Sequence, residues 1–180
     1  MLSQAGKGML IKGVLQSIPT YAMGVFRLPE GVMRDIQSLC ADFWWHNRGH
    51  RKVHWIAWDK LCARSVEDGL GFREFRAFNQ AMLAKQCWRV FMNPHSLLGW
   101  LLKARYFPHS SFLDAPLSLR PSLTWRSLLS ARPLMLAGIR WRVGSGRSIK
   151  VWASPWIPRP SPSVRSRQWL QMIQTSLFLL

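Results

Sequence analysis

Apolar residues recur at helical spacing from the start of the chain. Leu10, Ile11, Val14, Leu15 and Ile18 share one face, and Pro19 ends the run, which predicts a first amphipathic helix over about residues 4–18. Pro29-Glu30, a proline and an acid suited to a helix start, opens a second that continues through Val32, Ile36, Leu39 and Phe43 to Trp44-Trp45. Residues 46–50 read as a loop. Residues 52–57 alternate like a short strand, and Trp58 to Ala63 add a helical turn.

Gly69-Leu70-Gly71-Phe72 is a turn before the longest helix, about Arg73 to Met92, ended by Asn93-Pro94. Ser96 to Tyr106 is apolar nearly all round and so predicts a buried helix. After a loop with Pro108, Pro116 and Pro121, Ser122 caps a shorter helix that reaches about Arg132. Ile139 to Val143 and Ser148 to Trp152 flank Gly144-Ser145-Gly146-Arg147 and predict a hairpin over 139–152. Pro158 to Ser163 reads as a proline-rich linker, and the tail to Leu180 as disordered or non-native. The fold class expected is α+β, mainly α-helical, with a helical bundle followed by a C-terminal β-hairpin.

Composition adds a partner to this picture. The chain has 180 residues, 48% hydrophobic and 18% charged, enough for a core and too apolar for a disordered polyelectrolyte. Its 25 Lys+Arg face only 8 Asp+Glu, for a net charge of +17. Seven of the acids lie before residue 75, Asp114 stands alone, and none follows it. Such a surface repels itself unless a polyanion is near, so nucleic acid or an anionic membrane surface are the natural partners. Arginine outnumbers lysine, and eleven tryptophans accompany it. Guanidinium forks bind phosphate, and indole faces stack on bases, although most large aromatics serve as core filler.

The same pattern offers little to catalytic or metal chemistry. Two-metal phosphoryl transfer needs converging carboxylates, whereas Glu67-Asp68, the adjacent acids, sit in a glycine-flanked turn. His46, His50 and His54 repeat every fourth residue, but Gly49 and the alternation after it argue against one helix presenting all three to zinc. Cys40, Cys62 and Cys87 form no CxxC pair, which fits a reducing compartment and no disulfide framework. No cofactor or metal is expected, and no apolar run approaches the length of a membrane span. The predicted hairpin has one basic face, with Arg140, Arg142 and Lys150. These, with Arg126 on the preceding helix and Lys103 and Arg105, are the candidate contacts to phosphate.

The order of segments is itself informative. Leu10 to Met23, Phe43-Trp44-Trp45, Val53 to Trp58, Gly69 to Phe72 and Phe78 to Gln86 occur in one order with Leu102 to Pro108, Thr124 to Ser127, Trp141 to Gly144 and Val151 to Pro158. Together they resemble the stretch just after the polymerase core of plant LINE-type (non-LTR) retroelement reverse transcriptases. Similar short reading frames occur in plant mitochondrial genomes. The resemblance covers about residues 2–160.

It implies a thumb-and-connection segment, with the catalytic aspartates N-terminal to it and a zinc-binding segment and RNase H domain C-terminal to it. Residues 1–66 would be thumb-like helices with a short strand, 67–157 a connection region carrying the hairpin, and 158–180 the linker and tail. The expected function is that of a catalytically inactive fragment that retains sequence-nonspecific binding of RNA or DNA, such as an RNA–DNA hybrid. The alternatives are a relic without function, or a protein-interaction module for polymerase and RNase H domains. Lys7, Lys12 and Arg27, with no acid before Glu30, have the composition of a mitochondrial transit peptide. The resemblance instead assigns Lys7 and Lys12 to an internal helix, so location would follow the genome of origin: mitochondrial if organelle-encoded, otherwise nuclear or cytoplasmic.

Overall fold

The computed structural model describes residues 2–46 and 55–139. The chain divides into two compact units, Met1–Leu83 and Ala84–Leu180. Helix α1 (Gln4–Leu10) starts at Ser3, whose hydroxyl accepts from the Gly6 N–H at 3.1 Å. It runs into a π-helical turn over Ile11–Leu15, closed by Gln16 N donating to the Ile11 carbonyl at 2.9 Å. The first predicted helix is thus present but changes gauge midway, with Ile11 and Gln16 both buried. Pro19 then precedes a helix without a periodic signature, α2 (Thr20–Val25).

Helix α3 (Glu30–Trp45) begins after Pro29, as the proline–acid pair predicts. Its buried face of Met33, Cys40, Ala41 and Trp44 meets Ile11, Met23, Trp58, Leu61, Phe72 and Phe75 in one core. The carbonyls at its C-terminal end are held by α1: Lys7 Nζ donates to the Trp44 and His46 carbonyls at 3.3 and 2.6 Å, and Gln4 Nε2 to Trp44 at 3.4 Å. A cation at a helix C-terminus satisfies orphan carbonyls and the helix dipole together.

Short helix α4 (Trp58–Leu61) leads to a 3₁₀ turn at Ser65–Glu67, where Asp68 takes a left-handed conformation. A Cβ at Gly69 would collide with the backbone of Ala63, so this turn accepts only glycine there. Helix α5 (Phe75–Met92) is capped by Glu74, whose carboxylate accepts from the N–H groups of Arg76 and Ala77 at 3.0 and 2.8 Å.

One buried side chain ties α5 to the segment after α2. Asn79 Nδ2 donates to the Met23 and Phe26 carbonyls at 2.8 and 2.9 Å, and its Oδ1 accepts from Leu28 N at 2.9 Å. A stretch without periodicity is thereby fixed through its backbone.

In the second unit, α6 (Leu97–Tyr106) is capped by Ser96. Only Gly99, Leu102 and Tyr106 of α6 are buried; Leu97 and Trp100 are 82% and 65% exposed. The expectation of a fully buried helix is therefore corrected. A short helix packed along one side leaves its other apolar face open, whatever its composition. Helix α7 (Leu123–Gly138) starts at Ser122, whose hydroxyl accepts from Trp125 N at 3.2 Å. It continues through Pro133 to Gly138, past the expected end near Arg132. An interior proline removes a helix hydrogen bond. Here the buried stripe Trp125, Leu128, Ala131 and Met135 spans the proline, so burial on both sides carries the helix across it.

The α+β expectation is corrected as well. Every regular element among the described residues is helical, with no strand. Trp55, Ile56 and Ala57, the end of the expected first strand, are irregular. Ile139, the expected first residue of the C-terminal β-hairpin, instead closes α7 by donating to the Met135 carbonyl at 2.9 Å. An alternating run needs a neighbouring strand to complete its backbone hydrogen bonds, and among the described residues, 55–57 have none. Residues 52–54 and 140–152 lie outside the described residues.

Candidate functional site

Between residues 84 and 139 there are seven Lys or Arg and one acid, Asp114. That acid accepts a hydrogen bond from Ser111 Oγ at 2.7 Å. Arg132 turns inward and donates to the Ala115 carbonyl at 2.6 Å, pinning the loop before α7. Lys103, Arg105 and Arg126 are exposed, and among the described residues no carboxylate pairs with them.

The elements carrying these three cations are joined by aromatic packing. Tyr106, the last residue of α6, stacks on Trp125 of α7 at 4.6 Å and 3°. Its hydroxyl accepts from Ser122 N at 3.2 Å, so the end of α6 is bound to the start of α7. Arg105 and Arg126 adjoin Tyr106 and Trp125 in sequence and lie on these two joined ends. The Arg105 guanidinium sits 5.6 Å from the Tyr106 ring centroid. Hydrogen bonding to Ser122 foremost, with help from Arg105, holds the Tyr106 phenol below its usual pKa. Lys103 diverges from Arg105 by about 200° around α6, since residues two apart do not share a helix face. It borders a cavity of about 180 Å³ whose walls include Phe91, Phe107 and Phe112. Arg140, Arg142 and Lys150 lie outside the described residues.

Two exposed cations of this unit, Arg89 and Arg120, were not among the sequence candidates. The cavity was not anticipated either, because its walls come from α5, α6 and the loop after Tyr106, which no linear motif connects.

Residues considered for chemistry are dispersed. Glu67 and Asp68 are exposed in the 3₁₀ turn. His46 ends α3, while His50 and His54 lie outside the described residues. Among the described residues no group of three or more His, Cys, Asp or Glu could hold a metal ion. Burial pushes the thiols up in pKa: Cys40 to about 11, Cys87 to about 12, and Cys62, with further help from Asp59 and Glu74, to about 12. Protonated thiols are poor nucleophiles and poor metal ligands at neutral pH. No helix among the described residues is long and apolar enough to cross a membrane.

Over 148 residues the chain is 43% identical to "Uncharacterized mitochondrial protein AtMg00310" of Arabidopsis thaliana, an alignment covering 81% of this chain and 96% of that protein. The chain belongs to the same family as that mitochondrial protein. It is also 32% identical over 162 residues to "Putative ribonuclease H protein At1g65750" of Arabidopsis thaliana, covering 87% of this chain. There it spans only 26% of the longer protein's length. This pair of relatives agrees with a retroelement-related protein, the broader part of the resemblance drawn from the residues. No family model matches the chain, and no solved structure matches it.

Proposed function

We propose that the chain is a noncatalytic nucleic-acid-binding segment derived from a LINE-type reverse transcriptase, equivalent to its thumb and connection region. It would hold RNA or DNA, such as an RNA–DNA hybrid, through phosphate contacts without reading sequence. The observation that carries this reading is the charge of the second unit: Lys103, Arg105 and Arg126 are exposed, with one acid between residues 84 and 139. Arg140, Arg142 and Lys150 extend the same excess along the chain. Phosphate is the partner that neutralises guanidinium and ammonium groups in bulk, releasing its own counterions. A relative is named a mitochondrial protein, and this chain would act in mitochondria if it is organelle-encoded. Filter binding of an RNA–DNA hybrid across a salt series tests the reading. With about six phosphates neutralised, log affinity should fall against log salt with a slope near −5. A flat salt response would overturn it.

A second reading rests on the exposed apolar face of α6, where Leu97, Trp100 and Leu101 lie at helical spacing. A protein-interaction segment would use this face on the polymerase or RNase H domains that the resemblance implies flank it. A complex with such domains that survives high salt, together with no nucleic-acid binding, would favour it.

A further inference from the structure

The cavity beside Lys103 has a size, a lining and a charge that together select a ligand. At about 180 Å³ it is slightly larger than an apolar cavity of about 150 Å³ that holds one benzene ring. It therefore has room for a single six-membered ring and little more. Three of its walls are the rings of Phe91, Phe107 and Phe112. Phe107 belongs to a run of near-parallel rings, since both it and Tyr106 stack on Trp125, at 5.7 and 4.6 Å. Phe107 and Phe112 are packed against Trp125, and Phe91, 36% exposed, is the ring left open to a planar ligand.

The polar groups at the border supply what a purely apolar hole lacks. Ser111 Oγ gives its proton to Asp114, which leaves its oxygen as an acceptor. The Ser110 hydroxyl lines the cavity as well, available as donor or acceptor. Lys103 lines the same cavity and is exposed, and an ammonium on so flexible a stem is a point charge suited to phosphate. An aromatic ring bearing hydrogen-bonding edges and joined to a phosphate is a nucleotide.

We infer that this cavity receives one pyrimidine base of a single-stranded nucleic acid, with Lys103 on the adjoining phosphate. The inference rests on the nucleic-acid reading above and adds the form of the ligand. A paired base is held in its own stack, whereas an unpaired one can be splayed out onto aromatic side chains. A purine carries a second fused ring that a space of about 180 Å³ would leave outside, unstacked.

Fluorescence anisotropy on the full chain at one salt concentration provides the test, with labelled strands of about 12 nucleotides. Three strands of equal charge are compared: oligothymidylate, oligodeoxyadenylate and an abasic phosphodiester. Oligothymidylate should bind about tenfold tighter than the abasic strand, the gain expected from stacking one base. Oligodeoxyadenylate should bind like the abasic strand. Ser110→Phe, which fills the border from an exposed turn, should lower oligothymidylate to the abasic level. Equal affinity for all three strands, or a preference for adenylate, would overturn the base site while leaving phosphate binding intact. Failure of all three strands and of the hybrid would overturn the proposed function as well. Binding to phosphatidylglycerol vesicles that abolishes the thymidylate preference would assign the cavity to lipid and likewise overturn the inference.

Discussion

The two units spend their positive charge differently. Met1–Leu83 carries eleven Lys and Arg against seven acids, whereas Ala84–Leu180 carries fourteen against one. In the first unit cations already have partners on the protein. Lys7 closes the end of α3, Arg73 lies 4.7 Å over the Phe78 ring and reaches the Gln16 carbonyl, and Arg76 meets Glu30 at 3.4 Å. In the second, Arg132 alone of the three α7-proximal arginines Arg120, Arg126 and Arg132 is shown bonding inward, to a backbone carbonyl. The comparison teaches that the count of basic residues is a poor guide to binding. What matters is whether backbone carbonyls and carboxylates already occupy them.

The largest effects should come from disturbing one buried position in each unit. Asn79→Ala should destabilise the first unit by about 3 kcal/mol, because two carbonyls and one N–H lose their partner together. Urea denaturation would measure this, and a loss under about 1 kcal/mol would mean that the 23–28 segment is held by packing alone. In the second unit, Gly99→Ala should cost about 2 kcal/mol by overpacking. A Cβ there would stand 2.8 and 2.9 Å from the Pro94 and Asn93 carbonyl oxygens, which are backbone atoms that cannot swing away. Thermal unfolding would register it.

The units respond alike to alkali. Buried thiols raised to about 11–12 stay protonated in the fold, while unfolded thiols ionise near their usual 9. Stability is therefore fully present below pH 9 and is lost as pH rises from there towards 12, by at most about 1.4 kcal/mol per pH unit for Cys87. A stability profile that stays level between pH 9 and 11 would contradict the burial of these groups.

Smaller effects should separate the two uses of charge. Lys7→Ala should cost about 1 kcal/mol of stability and leave the salt slope of hybrid binding unchanged. Replacing Arg105 and Arg126 together should do the reverse, leaving unfolding nearly unaltered and lowering the magnitude of the slope by about two. If the two results were exchanged, the division into structural and phosphate-binding cations would fall. Glu30→Ala should change stability least, by under about 0.5 kcal/mol, since its pairing with Arg76 is solvent-exposed.

Local signals in the sequence settled where several helices begin. Pro29-Glu30, Ser96 and Ser122 act on neighbouring N–H groups or the local dipole within one turn, so their effect is legible without a fold. The excess of cations after residue 84 was equally plain, because charge is a property of composition. Tertiary structure decided the rest. It chose which face of α6 is buried and carried α7 past Pro133 to Gly138. It also turned Arg132 inward while leaving Arg126 in solvent, and brought three phenylalanines and Lys103 to one cavity. These outcomes depend on contacts between residues far apart in the chain, whose burial outweighs local preference and which no periodicity encodes.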